Sequence, residues 1–174
     1  PCGCCEPCRD GINHYCEHMT GYGTTVNGGF TEYCSVDMQQ VYKLGDHTSF
    51  EQGAMTEPVA CCLHGIDMCN IKPGSTVVVI GGGTMGLVNA QVAKAFGARV
   101  MISDISPKKI ARAKEMGIDV IDAKNTDPVQ AVKDLTDGKG ADTVIAAVGS
   151  TLAYKQGYDM LKHFRGKLVI FPAG

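Results

Sequence analysis

VVVIGGGTMGLVNAQVAKAFGARVMISD, residues 77–104, is the stretch that decides the fold. An apolar β-branched run leads into glycines, an amphipathic segment follows, and a second apolar run closes it. That order of strand, turn, helix and strand is a βαβ unit. Gly81, Gly83 and Gly86 stand in a G-x-G-x-x-G arrangement at the strand-to-helix turn. The first glycine permits the tight turn, the second lets backbone approach a pyrophosphate, and the third lets helix and strand pack closely. Free amides at the helix start face the phosphates, where the helix dipole favours negative charge. Asp104 ends the second strand, 18 residues beyond Gly86. A carboxylate there accepts both ribose hydroxyls of NAD and repels the 2′-phosphate of NADP. The glycine pattern alone also describes a surface turn, but strand before, helix after and acid at the next strand end point to NAD. Lys109, a helical turn later, either reaches the same ribose or is a plain exposed lysine.

Working outward, the periodicity predicts strands over 76–80, 99–103, 119–121, 143–147 and 167–171. A helix is expected over 84–96, with Val88, Val92, Ala95 and Phe96 on its apolar face. A second is bounded by Ser106 as N-cap, Pro107 at its first position and Gly117 just past its end. Five short strands with helical crossovers make an α/β, doubly wound parallel sheet. Residues 50–69 read as a connector helix, and runs at 30–36 and 40–44 read as short strands of a small β-rich lobe.

The 174 residues, 44% hydrophobic, suffice for one good core and a smaller appendage. A net charge of -2 with interspersed acids and bases offers no broad basic field for nucleic acid or anionic membranes. No apolar run approaches the roughly 20 residues that span a bilayer, and no leader is evident, so the expected compartment is the cytoplasm.

Five of the nine cysteines fall in PCGCCEPCRDGINHYC, residues 1–16. Cys2, Cys5, Cys8 and Cys16 follow a C-x2-C-x2-C-x7-C spacing, which suits a closed tetrahedral structural zinc with no open position. Disulfides or an iron–sulfur cluster are the other readings of such thiols. Cys4 falls outside the spacing, while Cys34, Cys61, Cys62 and Cys69 sit in apolar contexts and read as buried, inert thiols. His47 and His64 read as structural histidines.

The four-cysteine loop, GGFTEY at 28–33, EPVACCLHG at 57–65 and VVVIGGGTMG at 77–86 occur in that order. Together they resemble the zinc-containing medium-chain alcohol and polyol (sorbitol-type) dehydrogenases over essentially the whole chain. The quinone-reductase-like branch is disfavoured because it lacks the cysteine lobe. The resemblance implies a Rossmann sheet at 57–174 and, at 1–56, part of a GroES-like catalytic lobe. It implies structural zinc on Cys2, Cys5, Cys8 and Cys16, and an NAD site on Gly81, Gly83, Thr84, Met85, Gly86, Asp104 and Lys109. Glu57, in an EP pair typical of the polyol branch, matches a catalytic-zinc position, binding directly or through water; without the resemblance it would read as a helix cap.

Family members hold the other catalytic-zinc ligands ahead of the four-cysteine loop, so the chain is expected to be a fragment, short at its C-terminal end too. Phe171 and Pro172 stand where relatives carry a Val-Gly pair, and proline has no N–H to offer a nicotinamide carboxamide. The implied parent activity is hydride transfer from a secondary alcohol or polyol to NAD, by a homodimer or homotetramer. Alternatives are a threonine or other alcohol dehydrogenase, a truncated NAD- and zinc-binding module without turnover, and a non-enzymatic sensor on the same scaffold.

Overall fold

The computed structural model describes residues 1–171, and the chain divides into two units, Pro1–His47 and Thr48–Gly174. The helices are α1 (Glu6–Arg9), α2 (Phe50–Ala54), α3 (Thr56–Cys69), α4 (Thr84–Ala95), α5 (Pro107–Glu115), α6 (Pro128–Leu135) and α7 (Thr151–Asp159). The strands are β1 (Thr76–Ile80), β2 (Arg99–Asp104), β3 (Asp119–Asp122), β4 (Thr143–Ala146) and β5 (Lys167–Ile170).

All five strands pair in parallel, in the order β3-β2-β1-β4-β5. The expected strands are therefore present, within a residue or two at their ends, and β5 lies at an edge of the sheet. The order reverses between β1 and β4, and in such sheets ligands bind at the carboxyl ends of the strands beside that reversal. Pro172 lies outside the described residues.

β1 is central and buried on both faces, which is why it reads as a continuous apolar run rather than an alternating one. Val77 and Val79 join Ile66, Ala90, Ala93 and Ile102 in one core layer. Val78 and Ile80 join Met101, Val132, Val144 and Met160 in the other. Each such Val or Ile contributes about 1.5–3 kcal/mol on burial.

The face of α4 differs from the expected one. Gly86, Val88, Asn89, Ala90 and Ala93 are its buried residues, whereas Ala95 and Phe96 are exposed and Val92 only partly buried. A helix pressed on a sheet selects its smallest side chains for the contact, and an apolarity count overlooks Gly and Ala.

The connector is two helices rather than one. Pro58 has no N–H to return to the Ala54 carbonyl and its ring crowds that turn. The chain accordingly breaks at Met55, after a capping box at Ser49 and Gln52.

The 30–36 and 40–44 runs are not strands. Among the described residues the first unit holds α1, two short 3-10 turns and an isolated Tyr22–Val26 bridge. A strand exists only when a neighbour takes its backbone hydrogen bonds, and neither run has one beside it. Phe30, Tyr33, Val41 and Tyr42 stay exposed.

At the opposite end of the sheet from the strands' carboxyl ends, Asp142 ties three elements together. Its Oδ2 accepts from the Thr76 amide at 2.8 Å, and its Oδ1 pairs with the Lys162 ammonium. Burial pushes the Asp142 carboxyl up, but Lys162 and the Thr76 amide together outweigh it and hold it below the usual range. A depressed carboxyl stabilises the fold above its unfolded pKa and loses that contribution as pH falls through the folded value. Asp142→Asn should lower stability by about 1 kcal/mol at neutral pH, with the difference shrinking once pH falls below about 4. Urea unfolding of both proteins across that range checks it.

Candidate functional site

The turn after β1 is shaped by its glycines in three different ways. Gly81 has φ 104°, and a Cβ there would sit 2.6 Å from Val148 Cγ1 and 3.3 Å from the Ala147 carbonyl oxygen. The turn is thereby pressed against the end of β4, at the strand-order reversal. Gly86 lies so close to the strand that a Cβ would collide with the Gly81 carbonyl. Gly83 differs from both. Its φ of -73° suits any residue, and nothing lies within 4 Å of where its Cβ would be.

Gly83 is also the N-cap of α4, without a side-chain hydrogen bond to the helix amides. The protein itself thus has no steric use for glycine at 83. An open cradle at an uncapped helix start is a shape that fits an approaching pyrophosphate.

Asp104, buried at the end of β2, closes one side of this turn. Its Oδ2 accepts from the Gly82 amide at 2.6 Å and its Oδ1 from the Ser106 amide at 2.7 Å. Each oxygen keeps a second lone pair, so the carboxylate is fixed in place while still able to accept from hydroxyls. Lys109 Nζ lies 3.9 Å from Asp104 Oδ2. Gly81, Gly83, Gly86, Asp104 and Lys109 are therefore brought together at the carboxyl ends of β1 and β2, with Thr84 and Met85 on the first turn of α4.

Two contributors were not legible in the glycine pattern. Gly82, an "x" of the motif, supplies the amide that orients Asp104, and its own Cβ would sit 3.3 Å from Lys109 Cβ. Asn89, wholly buried, donates from Nδ2 to the Met85 carbonyl at 2.9 Å, steadying the first turn of α4 from inside. Ser106 occupies the N-cap position of α5 as expected but makes no side-chain cap; its amide goes to Asp104 instead.

The cysteine loop gathers separately, within the first unit. The ligand atoms of Cys2, Cys5, Cys8 and Cys16 all lie within 4.8 Å of one another, with Cys5 and Cys16 sulfurs at 3.8 Å. Zinc–sulfur bonds of about 2.3 Å set tetrahedral sulfur separations of about 3.8 Å. All nine cysteines are free thiols, and sulfurs bound to separate irons of a cluster would stand further apart. The donor set fits zinc.

The loop is built to receive a cation. The Cys2 and His18 amides point at Cys16 Sγ at 3.2 and 3.3 Å, and the Cys5 amide points at Cys2 Sγ at 3.4 Å. Backbone hydrogen bonds from Cys4 and then Cys5 pull the Cys2 thiol down to about 5, and those from Cys2 lower Cys16. Desolvation pushes Cys8 up to about 12. Protons compete with the metal for these sulfurs, so metal affinity should fall on acidification.

Glu57 belongs to neither group. It lies exposed in the first turn of α3, accepting from Cys61 Sγ at 3.1 Å, and is not among the clustered metal-ligating residues. Cys62 and Cys69 are buried, with burial raising both thiols, as expected of inert cysteines. Cys34 and Cys61 are exposed, contrary to the expectation, because an apolar sequence neighbourhood does not decide which side of a loop or helix a residue faces. His47 and His64 are exposed as well.

A sequence profile of the zinc-binding dehydrogenases matches residues 84–173, just over half of the chain. The chain belongs to the zinc-binding dehydrogenase family. Among its curated relatives, the sorbitol dehydrogenase of Halalkalibacterium halodurans is 40% identical over 164 residues, which are 92% of this chain and 48% of that protein. The D-arabitol-phosphate dehydrogenase of Enterococcus avium is 34% identical over 92% of this chain and 47% of its own length. Among solved structures, a protein described as a zinc-binding dehydrogenase from Sinorhizobium meliloti, bound to NADP, superposes with a TM-score of 0.91 at 35% identity. That match covers 98% of this chain and 51% of the other. The chain thus spans about half the length of the family members it matches. Among the described residues, no helix is long and apolar enough to cross a membrane.

Proposed function

We propose that this chain is the NAD-binding part of a zinc-dependent oxidoreductase that moves hydride from a secondary alcohol or polyol to NAD. The observation that carries the cofactor reading is Gly83, open where its side chain would be and sited at the uncapped start of α4. Gly81 and Gly86 shape the turn, amides of the first turn around Thr84 and Met85 face the pyrophosphate, and Asp104 and Lys109 hold the adenosine ribose. NAD, when bound, supplies the hydride acceptor. The protein's task is to hold it at the carboxyl ends of β1 and β4.

The choice of NAD over NADP rests on Asp104, whose buried carboxylate would stand against a 2′-phosphate. The NADP of the S. meliloti protein makes this a point for direct test. Asp104→Ala should narrow the preference for NAD over NADP by about tenfold or more. Titration of the two dinucleotides against both proteins measures it, and an unchanged preference would remove Asp104 from the ribose site.

The zinc held by Cys2, Cys5, Cys8 and Cys16 is read as structural, since four thiolates leave no open position for a substrate. Glu57 is proposed as a contributor to a second, catalytic zinc in the parent enzyme, directly or through water. The proposed join between the catalytic and cofactor parts is 56/57, one residue inside α3, whereas the compact units divide at 47/48. A cytoplasmic homodimer or homotetramer acting on a small molecule completes the reading.

Polyols are favoured as substrates by the sorbitol and arabitol-phosphate dehydrogenases among the relatives. In assays of NADH formation by the protein that carries this chain, sorbitol-type polyols should react ahead of threonine. The reverse order would overturn the polyol assignment. The 174 residues alone are expected to bind NAD without turnover.

A further inference from the structure

The cysteine loop carries a fifth thiol for which a tetrahedral zinc site has no position. Cys4 is exposed, and its Sγ lies 3.5 Å from Cys2 Sγ, closer than Cys5 is to Cys16 at 3.8 Å. Gly3 makes the turn between them at φ 75°, in open space, so nothing wedges the two side chains apart. Cys2 is the exposed member of the ligand set, whereas Cys5 and Cys8 are half-buried and Cys16 is buried. The spare sulfur therefore touches the ligand most open to solvent. Bringing the pair to bonding distance takes a movement of about 1.5 Å in a short glycine-hinged turn.

We propose that Cys2-Gly3-Cys4 is a peroxide-responsive dithiol whose oxidation to a disulfide withdraws one zinc ligand and loosens the metal. The inference rests on the zinc reading of the four-cysteine loop. Hydrogen peroxide or an alkyl hydroperoxide is the oxidant. Cys4 is exposed and unligated, and although its contact with the Cys2 sulfur holds its thiol up, it gives its proton to solvent before reacting. The thiolate attacks the peroxide oxygen, and the O–O bond breaks to give a Cys4 sulfenic acid and water or an alcohol. Cys2 sulfur then attacks the Cys4 sulfur, the S–S bond forms, and the sulfenic oxygen leaves as hydroxide, taking a proton to become water. The two sulfurs have lost two electrons to the peroxide, which also takes up two protons: one from Cys4 and one from solvent, because zinc-bound Cys2 is already a thiolate. Zinc is left with Cys5, Cys8 and Cys16, and a dithiol reductant reverses the change.

The test uses the zinc-loaded chain, the Cys4→Ser and Cys4→Ala variants, hydrogen peroxide, a chromogenic zinc chelator, and disulfide mapping by mass spectrometry. All three proteins should hold one zinc before oxidation. The native chain should then gain a Cys2–Cys4 disulfide and release zinc about tenfold faster than either variant, with uptake restored by dithiothreitol. Equal release from all three, or oxidation that joins Cys4 to another cysteine, would overturn the proposal. Loss of zinc from the unoxidised variants would overturn it too, by making Cys4 itself a ligand. If the native chain takes up no zinc at all, it is the zinc reading that fails.

Discussion

Gly86→Ala should destabilise the sheet unit by about 3–5 kcal/mol, a large fraction of the stability of an ordinary domain. The alanine Cβ would collide with the Gly81 carbonyl oxygen and come within 2.9 Å of the Gly81 carbonyl carbon. Both atoms are backbone, held by the Gly81 amide's 2.8 Å bond to the Ser103 carbonyl and by the packing of α4 on β1. Neither can swing aside as a side chain would, so α4 must lift from the strand and open the layer containing Ala90 and Ala93. Gly83→Ala is the matched control. With nothing within 4 Å of its Cβ, it should change stability by less than about 1 kcal/mol. Dinucleotide binding should nevertheless weaken by about tenfold or more, because the methyl enters the space left for the pyrophosphate. Urea unfolding of both variants separates the packing glycine from the ligand glycine. Equal stabilities would show that α4 does not press on the turn as described.

Removal of zinc should have the second large effect, confined to the cysteine loop. In the first unit Cys16 is the one buried residue, and α1 is a single helical turn. No apolar core exists there to replace the metal. Structural zinc supplies about 10–16 kcal/mol to isolated finger peptides, and a loop of this kind depends on it similarly. Hydrogen exchange after treatment with a strong chelator should show residues 2–20 losing protection, and trypsin should cut after Arg9. The β1, β2 and β4 amides should keep theirs, since their core shares no residue with the loop. Undiminished protection in the loop would mean that something other than metal organises it.

How much of this was legible in the sequence depends on whether a feature is local. The five strands, the α4 turn and the acid at the end of β2 were readable because a buried parallel strand, its glycine turn and its helix lie within a few residues of one another. The cysteine set was readable for the same reason, since its spacing closes one compact loop. What escaped is set by contacts distant in sequence. The Asp104 carboxylate is oriented by Gly82, 22 residues earlier, and no feature of position 82 announces that role. The buried face of α4 follows from small residues meeting the sheet, which a count of large apolar side chains misplaces. The 30–36 and 40–44 runs have strand composition, but composition supplies no partner. The break at Met55 was readable in principle from Pro58, had the hydrogen bond that proline cannot make been traced to Ala54.

The central claim, that the turn at Gly81–Gly86 with Asp104 is an NAD site, is tested most directly by calorimetric titration of the purified chain with NADH and NADPH. The account predicts saturable binding of one NADH per chain and weaker binding of NADPH. Absence of saturable NADH binding to the folded chain, or tighter binding of NADPH, would contradict it.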